Sequence, residues 1–276
     1  MFKYIKFNQL PKNLLIFVPL IVANQKIKIE IFADLLVAFI IFSIITTLVY
    51  IINDYTDNHI DQNNKVKKKI LPKINFKSFI IANVCLFFSL IFSFFSNYFS
   101  LILVLYILVF YLYNYFLKKI KYLDILCLVT FYISRLFYGS EISDIYLTNF
   151  FLLFFVILFL SLSIHKRLIQ IKVNKLKEKN KIVPYFLNDI SFLNFLLITF
   201  TCFSVIIFAI YLFNIYGFIN IRGIILIIYC IISFRLLILN LKNKINLDIY
   251  AFVFKDKKIL ALALIAILLI LIEFFL

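Results

Sequence analysis

Residues 31–61 read IFADLLVAFIIFSIITTLVYIINDYTDNHID, an apolar run over 31–52 that passes directly into the polar and acidic residues 53–61. A helix advances about 1.5 Å per residue, so the apolar part alone is long enough to cross about 30 Å of hydrocarbon. In lipid a segment must satisfy its own backbone hydrogen bonds, which makes it a helix. Residues 76–95, 101–117 and 259–276 are runs of the same kind, each about 17–22 residues long.

The whole chain carries that character. It is 65% hydrophobic, with a mean hydropathy of +1.07 and only three Gly and four Pro in 276 residues. Nearly every segment is apolar all round rather than striped, which argues against a water-soluble bundle. The expected fold class is all-α: a polytopic membrane helical bundle of about nine transmembrane helices in a single domain over residues 1–276. The segments fall near 12–25, 31–52, 76–96, 99–117, 122–142, 147–166, 190–213, 219–240 and 258–275. Lys3, Lys6 and Lys12 precede an apolar stretch without a small-residue cleavage site, so the first helix, interrupted by Pro19, is expected to stay. Cys85, Cys127, Cys202 and Cys230 each lie inside an apolar segment and form no Cys-x-x-Cys pair, as packing residues do.

Charge placement tests the helix count. Lys65, Lys67, Lys68, Lys69 and Lys73 follow the second segment; Lys118, Lys119 and Lys121 follow the fourth; residues 166–181 and 242–258 are rich in lysine. The alternate loops hold little beyond Lys26, Lys28 and Arg222, and one of them carries Glu141 and Asp144. By the positive-inside rule the N-terminus and the even-numbered loops are cytoplasmic, and the expected location is the inner membrane of a bacterial cell. The net charge of +16 thus follows from topology and anionic lipid, and no nucleic-acid partner is expected.

Asn53, Asp57 and Asp61 recur every four residues, and Asp54 lies three before Asp57. On a helix this spacing stacks oxygen donors on one face, where the carboxylates repel one another unless a cation joins them. Hard oxygen donors suit Mg²⁺, which also takes phosphate oxygens from substrate, and a diphosphate is the natural bridging ligand. Only 13 acidic residues serve the whole chain, and three sit within this short stretch. The bland reading is a solvated acidic helix end. On the same expected side, His165-Lys166-Arg167 closes the sixth segment, followed by Gln170 and Lys172; these cations could hold phosphate or merely anchor the helix. Arg135 lies within the fifth segment, where an unpaired cation is expensive, so it is expected to face the interior near Asp124 or a bound substrate. Asp124 could equally cap that helix or pair with a cation. His59 and His165 lack the partners of a nucleophile triad or a metal pair and read as loop or helix-end residues. No Walker A, Rossmann glycine or His-Glu-x-x-His pattern occurs.

With these residues in place the chain resembles the UbiA superfamily of intramembrane prenyltransferases, whose hallmark is Asn-Asp-x-x-Asp-x-x-x-Asp after the second of nine helices. Here that is Asn53, Asp54, Asp57 and Asp61. Four further stretches look like the decaprenyl-phosphate phosphoribosyltransferase branch: Lys12-Asn13 leading to Pro19, Tyr122-Leu-Asp124, Ser134-Arg135 leading to Gly139, and Lys166-Arg167. Asp248 and Asp256 lie in a weaker match to that branch's last cytoplasmic loop. Aromatic prenyltransferases of the superfamily usually carry a second aspartate motif after helix six, whereas residues 163–170 here contain no carboxylate. Gln170 stands where the branch often has Glu, and the N-terminal motif lacks its usual Arg, Pro and Trp.

The resemblance implies a Mg²⁺-dependent transfer of 5-phosphoribose from phosphoribosyl diphosphate to a polyprenyl phosphate, with diphosphate leaving. Asp54, Asp57 and Asp61 would be catalytic and, with Asn53, would hold the metal. Lys12, Asn13, Asn53, Asp124, Arg135, Lys166 and Arg167 would bind substrate. The alternative within the superfamily moves an isoprenoid chain from a prenyl diphosphate to an aromatic or other small acceptor. A different class, a transporter or ion channel using Asp54, Asp57, Asp61 and Arg135 as a pathway, fits less well, because the acidic cluster sits at a membrane end rather than the midplane.

Overall fold

The computed structural model describes residues 7–22, 29–61, 75–96, 98–175, 184–216, 221–245, 252–253 and 255–275; the side chains of 7–9, 21–22, 58–61, 173–175, 214–216, 221–222 and 270–275 fall outside that description. A 3-10 segment, Phe7–Phe17, leads into α1 (Val18–Val22). Then come α2 (Ile29–Asp61), α3 (Phe76–Phe95), α4 (Leu101–Tyr115), α5 (Leu123–Ser143), α6 (Asn149–Lys175), α7 (Ile190–Tyr216), α8 (Ile221–Leu241) and α9 (Lys257–Phe275). No strand occurs among the described residues.

The nine expected segments each find their helix, with two physical corrections. The first is not a continuous α-helix over 12–25: eleven residues wind as a 3-10 helix containing Pro11, and α1 adds only five. Pro11 and Pro19 have no N–H to donate to an α-ladder. The sixth does not close at residue 166. Helix α6 continues to Lys175, so His165, Lys166 and Arg167 lie inside a helix and not at its end.

Among the described residues six helices are long and apolar enough to cross a membrane: those within α2, α3, α5, α6, α7 and α8. Helix α4 has 15 residues, about 22 Å of rise, and is shorter than the hydrocarbon layer. Helix α2 has 33 residues, about 50 Å, so an end of it must project from that layer.

The chain forms two compact units, Met1–Tyr146 with Lys179–Pro184, and Leu147–Glu178 with Tyr185–Leu276. In the first, α2 packs on α3, while the 3-10 segment and α2 both pack on α5. Ile16, Leu35, Phe42, Ile45, Leu103 and Tyr138 form its core. The 3-10 segment approaches α5 so closely that a Cβ added at Gly139 would overlap the carbonyl of Ile16. Small residues permit such close backbone contact in lipid, where water expulsion does not drive helices together. Phe87, Phe88, Phe92 and Phe95 on α3 are exposed, an apolar face suited to acyl chains.

In the second unit α6 packs on α7, α7 on α8 and α8 on α9. Polar ties join the same helices: Ser161 to Thr201 at 3.0 Å, and Tyr229 Oη donating to Ser204 Oγ at 2.7 Å.

Candidate functional site

The acidic end of α2 is helical, as its four-residue spacing requires. Asn53 Nδ2 donates to Asp57 Oδ2 at 3.0 Å, one turn further on. Asp54 and Asp57 are partly buried. Asp61 is the last residue of α2, but its side chain, like that of His59, lies outside the described residues. The lysine-rich loop 65–73, Lys26, Lys28 and Asp248 also lie outside them.

The other oxygen of Asp57 meets a partner from a different helix. Lys118, in a 3-10 turn after α4, places Nζ 2.6 Å from Asp57 Oδ1, and the two side chains are only 12% and 14% exposed. Lys118 also donates to Asn114 Oδ1 at 3.0 Å, and Thr56 Oγ1 donates to that same oxygen at 2.9 Å. Lys118, Asn114 and Thr56 were not among the sequence candidates. A lysine after an apolar run reads as a positive-inside anchor; the available signal was Asn114, a polar residue one turn before Lys118 within that run.

Further along the first unit, Arg135 is 2% exposed in the middle of α5. Its Nε donates to Asn13 Oδ1 at 2.9 Å, and its Nη1 donates to the Phe131 carbonyl. Its guanidinium carbon lies 5.2 Å, 5.6 Å and 5.9 Å from the ring centroids of Phe42, Tyr106 and Tyr132. Lys12 Nζ lies 5.9 Å from the same Tyr132 ring. Arginine can only donate, so the Asn13 atom facing it is the oxygen. Asn13 Nδ2 then donates to Ser43 Oγ at 3.0 Å and Thr46 Oγ1 at 3.1 Å. The interior placement expected of Arg135 holds, but its neighbour is Asn13 and not Asp124. Eleven residues of α5 separate the two, about 16 Å along the axis. Asp124 is fully buried in the first turn of α5, where the helix dipole favours a carboxylate.

In the second unit His165 and Arg167 are buried, at 2% and 3% exposed. Asn240 of α8 bonds to both sides of this stretch of α6. Its Nδ2 meets His165 Nδ1, while its carbonyl and Oδ1 accept from Lys172 Nζ at 2.8 Å and 2.9 Å. Since the amide oxygen faces an ammonium, the amide nitrogen faces the imidazole, and His165 Nδ1 must be the acceptor. Arg167 Nη1 donates to Gln170 Oε1 at 2.5 Å. A neutral carboxamide therefore holds the arginine, without adding a charge. Lys166 is partly buried on the next position of the helix.

Among the described residues no three His, Cys, Asp or Glu side chains converge on one point. The described part of the α2 end thus offers a carboxamide and two carboxylates, Asn53, Asp54 and Asp57. Such a donor set suits a hard cation that keeps water and takes further oxygens from phosphate, as Mg²⁺ does, and not a closed all-protein cage.

No curated sequence relative matches the chain. A solved structure, described as giving "Structural and mechanistic insights into the biosynthesis of Digeranylgeranylglyceryl phosphate synthase in membranes", is similar in fold, with a TM-score of 0.57 and 19% identity over 99% of this chain and 95% of that one. The model of the UbiA prenyltransferase family matches residues 14–255, which include the acidic end of α2, Arg135 and the basic stretch of α6. This chain, with its long apolar helices, is an integral membrane protein and belongs to the UbiA prenyltransferase family of transferases.

Proposed function

We propose that the chain acts as a single transferase domain over residues 1–276, moving 5-phosphoribose from phosphoribosyl diphosphate to a polyprenyl phosphate in the membrane. One observation carries the choice: the stretch of α6 at residues 163–170 has a histidine, a lysine and an arginine and no carboxylate, with Arg167 buried and bonded to a neutral Gln170. An acidic second motif suits metal ions on a prenyl diphosphate. A basic one suits an additional phosphate, which a phosphoribosyl donor and a polyprenyl phosphate acceptor both bring.

Asn53, Asp54, Asp57 and Asp61 are the residues that would hold Mg²⁺. The metal would neutralise the charge that grows on the diphosphate as it departs. Lys12, Arg135, Lys166 and Arg167 are the cations assigned to phosphate from the resemblance, with Asn13 orienting Arg135. Asp124 is assigned to substrate from the resemblance alone. An oxygen of the acceptor phosphate attacks the anomeric carbon, the carbon–oxygen bond to diphosphate breaks, and diphosphate leaves with the electron pair. The acceptor is already an anion, so no general base is needed, and alignment and electrostatics supply the rate. The lipid tail lies among apolar helices, and the head group at the cytoplasmic face of a bacterial inner membrane.

The family model and the solved structure of similar fold favour a second reading, transfer of a prenyl chain from its diphosphate to a small acceptor. Purified protein with Mg²⁺ and polyprenyl phosphate is offered labelled phosphoribosyl diphosphate or a labelled prenyl diphosphate. Label should enter lipid only from the ribosyl donor, and Asp57→Ala should lower the rate at least about a hundredfold. Prenylation of an added acceptor without ribosyl transfer would replace the first reading by the second.

A further inference from the structure

Asp57, in the acidic end of α2, is already paired from within the chain. Asp57 Oδ1 is held by Lys118 at 2.6 Å and Oδ2 by Asn53 at 3.0 Å, so both oxygens of this carboxylate are engaged before any ligand arrives. Lys118 is not a loose surface cation. It is held by Asn114 Oδ1, which Thr56 fixes in turn. Because Lys118 can only donate, the oxygen of Asn114 must face it, and Asn114 Nδ2 is turned elsewhere. That nitrogen is buried, on a side chain 2% exposed, and has no hydrogen-bond partner among the described residues. A buried donor is costly to leave unmade, and an acceptor oxygen such as a diphosphate brings would satisfy it.

We propose that Lys118 is a resident cation that keeps free divalent metal away from Asp57, so that metal enters only together with a diphosphate, whose oxygens take over Lys118 and the Asn114 amide. The inference rests on reading the α2 end as a metal–diphosphate site. A divalent ion arriving alone must break the Lys118–Asp57 pair and leave an ammonium beside a dication in a mostly buried place. A diphosphate reverses the sign of that encounter, because it brings acceptors for Lys118 Nζ and Asn114 Nδ2 while sharing the metal with Asp57. Metal and diphosphate then bind with positive coupling, each tightening the other by the same factor. Lys118 is a positioning residue in this scheme and takes part in no bond change.

The test is equilibrium dialysis of Mn²⁺ against the full-length protein in detergent, with and without inorganic diphosphate, read against protein-free controls containing the same Mn²⁺–diphosphate mixture. If Lys118 holds Asp57 in about nine molecules of ten, wild type binds Mn²⁺ alone about tenfold more weakly than Lys118→Met does. Wild type should also gain more from diphosphate than Lys118→Met or Lys118→Gln. Wild type binding Mn²⁺ as tightly without diphosphate as with it overturns the proposal, and needs no variant to fold. So does equal Mn²⁺ affinity in folded Lys118→Met and wild type; if both then bind the Mn²⁺–diphosphate pair, the proposed function stands. No Mn²⁺–diphosphate binding by wild type, with Asp57→Asn indistinguishable from it, removes both together.

Discussion

Arg135 illustrates how a single charge is made tolerable in a membrane span. Its guanidinium has a carboxamide oxygen at one nitrogen, a backbone carbonyl at another, and three aromatic rings around it. None of these contacts is to a carboxylate, so neutral oxygens and aromatic rings, and not an ion pair, surround the guanidinium here. Lysine could keep the charge but not the planar fork, and Asn13 would lose the donor that fixes its orientation against Ser43 and Thr46. Arg135→Lys should therefore destabilise the protein by about 1.5–3 kcal/mol, the range for a hydrogen bond to a charged group. Thermal unfolding in detergent reads this, and an unchanged melting temperature would show that the Asn13 link holds nothing. That Arg135 faces inward was legible in the sequence, because a cation in an apolar run has few places to go. Its partner was not, since Asn13 lies 122 residues away and only the packing of the 3-10 segment on α5 brings it close. Lys118 is the same lesson with the opposite outcome, an apparent topological anchor that the fold delivers onto Asp57 from 61 residues away.

Helices were the most legible level, because apolar runs of spanning length leave one choice of backbone in lipid. Their ends were less so. Helix α6 runs on past Arg167 because His165 and Lys172 find Asn240 of α8, so residues that look like a solvated terminus are paid for as interior ones. Helix α9 shows a better-marked start. Asp256 Oδ1 accepts from the backbone N–H groups of Lys258 at 3.0 Å and Ile259 at 3.2 Å, and its Oδ2 accepts from Arg235 Nη2 at 2.7 Å and Nε at 3.2 Å. One carboxylate thus caps α9 and ties it to α8. Desolvation pushes the Asp256 carboxyl up, but the bonds from Arg235 and from the two backbone donors outweigh it, and the group sits below its ordinary value of 3.8. A depressed carboxyl binds its proton less readily in the folded protein than in the unfolded chain. Its stabilisation is therefore fully present above the unfolded value and is lost as pH falls through the folded one. Asp256→Asn should lower the melting temperature at neutral pH and lessen its decline below about pH 4. Parallel declines in variant and wild type would show that this carboxylate is not part of the acid limb.

At the scale of the whole molecule, charge asymmetry makes a claim about sidedness that one helix can test. Helix α5 has 21 residues, about 31 Å of rise, so its two ends lie on opposite sides of the hydrocarbon layer. Lys118, Lys119 and Lys121 precede it, and Glu141 and Asp144 close it. Lys and Arg near the ends of a span set orientation while carboxylates contribute little, so the start of α5 should face the cytoplasm and its end the exterior. That orientation also bears on the proposed transfer, because Lys118 reaches Asp57 and thus puts the acidic end of α2 on the same side as the start of α5. Both Lys119 and Asp144 are exposed, which suits single-cysteine labelling. The four native cysteines lie within α3, α5, α7 and α8, where a membrane-impermeant maleimide should not reach them; replacing them with alanine removes any remainder. In intact cells Asp144→Cys should label and Lys119→Cys should not, until the membrane is permeabilised. Labelling of Lys119→Cys in intact cells would put the acidic site on the exterior, away from any cytoplasmic pool of phosphoribosyl diphosphate.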